Sequence, residues 1–185
     1  PGLLAAMPAG AVESPVQRSQ AAAVSLAADV AAVAPGEAFR IGLRMRLAPG
    51  WHSYWRNAGD AGAPAEVTLT LPEGARADPI AWPAPERIEY GPLVNFGYKG
   101  EVLLPIAVHV PATVTPGDSF RIEAEASWLV CEQVCIPEEG RFSLTLPVAP
   151  RALPSPLMAD LFAAEAARLP VSYTHLRAHE TKANL

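Results

Sequence analysis

Cysteine and lysine are both scarce in this chain. Of 185 residues, two are cysteines, Cys131 and Cys135, and two are lysines, Lys99 and Lys182. Formal net charge is −5 and no basic run occurs, which argues against nucleic acid as the main partner, since phosphate binding needs clustered Lys and Arg. No stretch approaches the roughly 18–20 uninterrupted apolar residues of a membrane span. Proline and glycine, by contrast, are plentiful at 20 and 13 residues, in a chain that is 50% hydrophobic. That combination excludes a helix bundle and predicts many short segments joined by turns around a real core. The length fits one domain, or one domain plus a fragment of a second.

Period-two alternation dominates the middle of the chain. Phe39, Ile41, Leu43, Met45 and Leu47 share one face, opposite Arg40, Gly42, Arg44 and Arg46. Val102, Leu104, Ile106 and Val108 do the same, with Pro105 predicting an edge strand or a bulge. Phe120, Ile122, Ala124, Ala126, Trp128 and Val130 form a third inward face, and Phe142, Leu144, Leu146 and Val148 a fourth. Looser alternation covers Ala21–Val33, Val67, Leu69 and Leu71 alternate with Thr68 and Thr70, and Trp51–Trp55 forms an aromatic strand. Short strands punctuated by turn residues predict an all-β fold, an antiparallel β-sandwich of immunoglobulin-like type.

Between Asp78 and Gly100 the pattern weakens. Four prolines (Pro79, Pro83, Pro85, Pro92) forbid a long central strand, while Trp82, Tyr90, Phe96 and Tyr98 crowd the same stretch. Such a segment reads either as a binding loop or lid or as a stiff connection whose aromatics enter the core.

The two ends differ from the middle. Residues 1–11 are apolar and close on Ala9-Gly10-Ala11, the small-residue pattern of a signal-peptide cleavage site, so they are expected to be a signal-peptide remnant. Residues 12–150 hold the sandwich. Residues 151–170 contain Ser155-Pro156 followed by Leu157–Leu169, predicting a helix capped by Ser155 that serves as a linker or opens a further domain. Residues 171–185 change composition abruptly and resemble a translated sequencing-library adapter. They are expected to be a non-native tail.

Three residues separate the two cysteines, which lie between a strand-like run and the turn residues Pro137 and Gly140. A structural disulfide is the plainest reading. A loop of about five residues, however, would contribute only ~2 kcal/mol in the chain-entropy model, against ~4.7 for a 100-residue loop. The pair therefore fits better as a bond that opens and closes. If Val130 points inward, Cys131 points to the other face, which would place the pair at the rim of the sandwich. Glu132, Glu138 and Glu139 are its charged neighbours in sequence, and nearby negative charge raises a thiol pKa. A metal reading would pair the two thiolates with His52, His109 or a methionine around Cu(I) or Zn.

Four motifs in order carry a family resemblance. They are Trp51-His52-Ser53-Tyr54-Trp55-Arg56-Asn57-Ala58-Gly59-Asp60; Trp82-Pro83-Ala84-Pro85-Glu86-Arg87; Asn95-Phe96-Gly97-Tyr98-Lys99-Gly100-Glu101-Val102; and Trp128-Leu129-Val130-Cys131 through Cys135-Ile136-Pro137-Glu138-Glu139-Gly140. Over Glu13–Val148 the chain resembles the N-terminal periplasmic domain of the thiol:disulfide interchange protein DsbD family, in its ScsB-like branch. The resemblance implies an immunoglobulin-like domain at the end of an electron relay, in the periplasm and tethered to the inner membrane in the full-length protein. A membrane-embedded domain and a thioredoxin-like domain of the same parent would reduce the cysteine pair. The pair would then reduce periplasmic thioredoxin-fold proteins of the isomerase or cytochrome c maturation type, with no cofactor and no metal. By position, Cys135 would form mixed disulfides and Cys131 would resolve them. A cap loop near Glu89, Tyr90, Phe96 and Tyr98 would shield the pair until docking, Tyr90 and Phe96 being the covering side chains. Better-studied members space their cysteines more widely, and these 185 residues hold no transmembrane or thioredoxin-like part, so this stretch would not run the relay alone. The rival readings are a non-catalytic binding sandwich with a structural disulfide and a Cu(I)-binding module.

Overall fold

The alternating stretches fold as strands whose inward faces meet. The computed structural model describes residues 11–170, Tyr90 in its backbone only. The expected signal remnant, apart from Ala11, and the expected tail lie outside the described residues. In chain order the strands are β1 (Gln17–Arg18), β2 (Ala22–Ala28), β3 (Val30–Ala32), β4 (Ala38–Leu47), β5 (His52–Gly59), β6 (Glu66–Thr70), β7 (Arg76–Ala77), β8 (Glu86–Tyr90), β9 (Leu93–Lys99), β10 (Glu101–His109), β11 (Ser119–Cys131), β12 (Cys135–Pro147) and β13 (Leu153–Pro154), followed by the helix α1 (Ala159–Arg168).

Two sheets stack as an immunoglobulin-like antiparallel sandwich. One runs β1-β2-β4-β10-β7 and the other β12-β11-β5-β9-β8, with β6 pairing the middle of β11 and β5 its end at Cys131. The inward residues of β4, β10, β11 and β12 are buried in one core with Trp51, Tyr98 and Trp128. At about 25 cal/mol per Å² of apolar surface removed from water, this interdigitated layer is the main stabilising term. Pro105 does not terminate β10, which pairs with β4 along its whole length. The opposite edge of β10 has no long partner strand among the described residues: it meets the two-residue β7, the backbone N–H groups of Asp78 and Ala81, and the Glu165 carboxylate, so a proline without an N–H is tolerated there.

Two local expectations change. The stretch rich in proline and aromatics is not irregular over its second half: β8 and β9 form a hairpin paired from Tyr90↔Leu93 to Glu86↔Gly97. Pro92 falls in its turn beside Gly91, whose φ is 59°, and the other three prolines precede β8, so no ladder bond is lost. The helix starts later than Ser155 predicts. Its N-cap is Met158, which makes no side-chain cap, and the Ser155 carbonyl, not its hydroxyl, accepts from Met158 and Ala159 N–H.

The helix packs on the first sheet. Met158 and Phe162 are buried with Ala27 and Leu103 on the sheet's outer face, and a Cβ on Gly42 would come within 2.5 Å of the Leu103 side chain. Glu165 accepts the Leu103 N–H at 3.3 Å on the open edge of β10.

Candidate functional site

The cysteine pair closes the hairpin between the two longest strands. β11 and β12 stay in register from Ser119↔Pro147 to Cys131↔Cys135, leaving Glu132, Gln133 and Val134 as the turn. Directly opposed residues of an antiparallel pair bring their Cβ atoms close enough for a disulfide, and Cys131 and Cys135 are joined with a Cα–Cα distance of 4.1 Å. The bond therefore bridges neighbours that the hairpin has already placed together.

Its two sulfurs live in different surroundings. Cys135 is exposed, flanked by Val134 at 72% exposure and Ile136 at 39%. Cys131 is only 3% exposed. The strand phase does turn Cys131 away from Val130, but the face it meets is not open. β5 runs beside the end of β11, with His52 opposite Cys131, and alternation along β5 puts His52 and Tyr54 on the side of the sulfurs. The expectation of an outward Cys131 is corrected by this lateral strand.

A cavity of about 130 Å³ lies over the bond, lined by His52, Tyr54, Ala61, Leu93, Asn95, Cys131, Glu132, Gln133 and Cys135. The Tyr54 hydroxyl donates to Cys131 Sγ at 2.9 Å and lies 3.5 Å from Cys135 Sγ. Tyr54 is 2% exposed, and burial raises its pKa above the ordinary phenol value. His52 packs edge-on to the Tyr54 ring at 5.2 Å between centroids. Its Nε2 is buried without a partner, and burial, then the Lys99 ammonium, lowers its pKa and keeps the imidazole neutral near pH 7. The sulfurs thus have a histidine and a tyrosine beside them that their sequence neighbourhood does not reveal. The signal was present in the alternation of Trp51–Trp55, which sets His52 and Tyr54 on one face.

The residues expected in the cap are distributed differently. Tyr98 is 1% exposed in the core and donates to the Pro83 carbonyl at 2.8 Å. Phe96 shares its side of β9, and neither lines the cavity. Glu89 is exposed and paired with Arg87, and the covering role expected for the Tyr90 side chain lies outside what is described. The hairpin nevertheless reaches the pair, through Leu93 and Asn95 on the opposite face of β9. Asp60 holds this part of the hairpin: it accepts the Val94 N–H at 2.8 Å, and its own N–H donates to the Val94 carbonyl. Asn95 Oδ1 accepts the Ala61 N–H at 3.0 Å.

The other expected metal ligands lie elsewhere: His109, at the end of β10, is bonded to Asp78 at 3.0 Å, and Met45 and Met158 sit in two separate hydrophobic clusters. Among the described residues no group of three or more His, Cys, Asp or Glu could hold a metal ion. Larger openings exist, such as the groove of about 480 Å³ beside Glu66, Glu125 and Glu139, but they hold no sulfur and no buried titratable group. No helix among the described residues is long and apolar enough to cross a membrane.

Comparison with known proteins agrees with this geometry. The family model described as "Thiol:disulfide interchange protein DsbD, N-terminal" matches residues 18–147. Among solved structures, the N-terminal periplasmic domain of ScsB from Proteus mirabilis is similar, with a TM-score of 0.64 and 20% identity over 87% of this chain. The chain spans 60% of that structure. A yeast GGA1 GAE domain is a remoter likeness, with a TM-score of 0.38, 10% identity and coverage of 77% of this chain and 99% of that one; it carries no argument. Nothing among the curated proteins matches the chain.

Proposed function

The chain belongs to the family of N-terminal domains of the thiol:disulfide interchange protein DsbD, and on that premise we propose that it is a periplasmic protein-disulfide reductase module. It is a thiol–disulfide exchange domain with one cysteine pair. In the proposed cycle, a thioredoxin-like domain of the same parent, supplied by a membrane-embedded relay, reduces the pair. The reduced pair then reduces thioredoxin-fold clients in the periplasm.

The observation that carries this reading is the asymmetry of the bond. Exchange requires a thiolate to approach one sulfur along the S–S axis, with the other sulfur leaving. Cys135 is exposed between two exposed apolar side chains and Cys131 is buried, so an incoming protein reaches Cys135. In the forward reaction the Cys135 thiolate attacks a client disulfide, and the client's far sulfur leaves as thiolate. Cys131 then attacks Cys135 Sγ, closing the internal bond and releasing the reduced client. Two electrons pass from the pair to the client. We assign the cap to the tip of the β8–β9 hairpin, with Leu93 as the side chain over the pair. Opening it on docking would admit the partner's sulfur.

Trapping tests the reading. With Cys131→Ser, the resolving step is removed, so mixed disulfides on Cys135 should accumulate with periplasmic thioredoxin-fold proteins. If none form, and the wild-type bond has a reduction potential below about −300 mV, the disulfide is structural and the exchange reading fails.

A further inference from the structure

When a dithiol reduces this domain, the internal bond breaks and its electron pair stays on the sulfur that leaves. Cys135 is the accessible target, so the charge develops on Cys131 Sγ, which is buried. A thiolate out of water needs a donor. The residues lining the cavity supply no Lys or Arg; their one carboxylate, Glu132, opposes the charge, and His52 enters as a neutral ring.

We propose that Tyr54 is a catalytic residue of the exchange: its hydroxyl holds the hydrogen bond that carries the Cys131 thiolate as leaving group and, in reverse, as resolving nucleophile. This rests on the exchange reading above and names the group that makes the buried sulfur usable. The donor is already in place, at 2.9 Å from Cys131 Sγ while the disulfide is closed, so no rearrangement is needed as charge forms. The ring is fixed from both sides. His52 meets it edge-on, and Gly62 lies against it so closely that a Cβ there would overlap the ring at 2.2 Å. Burial keeps the phenol protonated, which is the form that donates. The same oxygen is 3.5 Å from Cys135 Sγ, within reach of either sulfur.

The balance is simple. A dithiol's thiolate attacks Cys135 Sγ, the Cys131–Cys135 bond breaks, and Cys131 becomes a thiolate bonded to the Tyr54 hydroxyl. The dithiol's second sulfur, as thiolate, then displaces Cys135. The dithiol is oxidised to a disulfide, the pair is reduced, and the thiolates take protons from water. Tyr54 gains and loses no proton overall.

The test uses dithiothreitol as the dithiol and Tyr54→Phe as the variant, since it removes one oxygen and keeps the ring. A hydrogen bond to a charged group is worth roughly tenfold to a hundredfold in an equilibrium. Reduction of the internal disulfide should slow by about tenfold, and the Cys131 thiol, titrated by thiolate absorbance in a Cys135→Ser background, should rise by about one pKa unit. An unchanged rate together with an unchanged Cys131 titration would overturn the role of Tyr54. Should Tyr54→Phe unfold, 3-fluorotyrosine placed at position 54 decides instead. A more acidic phenol should speed reduction and lower the Cys131 pKa, and no change in either defeats the proposal. These readouts use no protein client. A failure of trapping with an intact Tyr54 effect therefore counts against the client reading alone.

Discussion

Gly62 lies against the ring of Tyr54, so that a Cβ at position 62 would stand 2.2 Å from Tyr54 Cε1. Gly62 also has φ of 100°, a conformation open to glycine and strained for other residues. The loop between β5 and β6, which carries Ala61 and Gly62, is thus a wall of the cysteine pocket, pressed onto the residue that contacts both sulfurs. Gly62→Ala combines the strained backbone with a clash against a buried ring. Stability should fall by about 1–3 kcal/mol in urea unfolding, and the reduction rate with dithiothreitol should drop as Tyr54 shifts from Cys131. A variant with wild-type stability and rate would mean the loop yields without moving the ring.

The hairpin contacts the pocket through Leu93, which is 36% exposed. Truncating a side chain already in partial contact with water removes little buried area, so Leu93→Ala should lower stability by less than about 1 kcal/mol. It should, however, open the approach to Cys135 Sγ. The expected outcome is faster reduction by a small dithiol, with the thermal midpoint nearly unchanged. Slower reduction would show that Leu93 orders the pocket and does not cover it.

Most of the sandwich was legible because its strands are buried on one face. The alternating residues of β4, β10, β11 and β12 are the ones found inward. What was hidden depended on lateral neighbours. Nothing around Cys131 in sequence announces that β5 brings His52 and Tyr54 beside it, since a hydrogen-bonded neighbour 77 residues away leaves no local trace. The hairpin β8–β9 was masked because prolines before it and in its turn dilute the period, although none interrupts a ladder bond. The aromatic density that suggested a cap has another cause in Tyr98, a core residue that bonds Pro83. The aliphatic Leu93, with no compositional mark, is the one at the pocket.

Glu165 ties the helix to the open edge of β10. It is 4% exposed; one oxygen accepts from Leu103 N–H and from Arg168 at 2.9 Å, and the other is buried without a partner. Glu165→Ala leaves the Leu103 N–H unpaired on the open edge of β10, which should lower stability by about 1–3 kcal/mol. Glu165→Gln keeps a carbonyl acceptor and removes the buried charge, so it should be milder. Urea unfolding of both variants checks the order, and equal losses would show that the charge, not the edge contact, is what matters.

His52 makes stability depend on pH, and the sign follows from its surroundings. Burial, then Lys99, lowers its folded-state pKa below the value of about 6.5 expected in the unfolded chain. As pH falls through 6.5 the unfolded state takes up the proton first, so the equilibrium shifts toward unfolding. The stabilising difference is fully present above about 6.5 and is lost progressively as pH drops toward the folded-state value. Other groups titrate in the acid range too, so the informative quantity is the difference between the wild type and His52→Gln, which keeps a polar side chain of similar length and does not titrate. Urea unfolding at pH 7.5, 6.5 and 5.5 should show the wild type losing stability relative to the variant across that window. Parallel curves would mean that His52 takes up its proton as readily in the fold as out of it. The neutral imidazole assigned to the wall of the cysteine pocket would then be wrong.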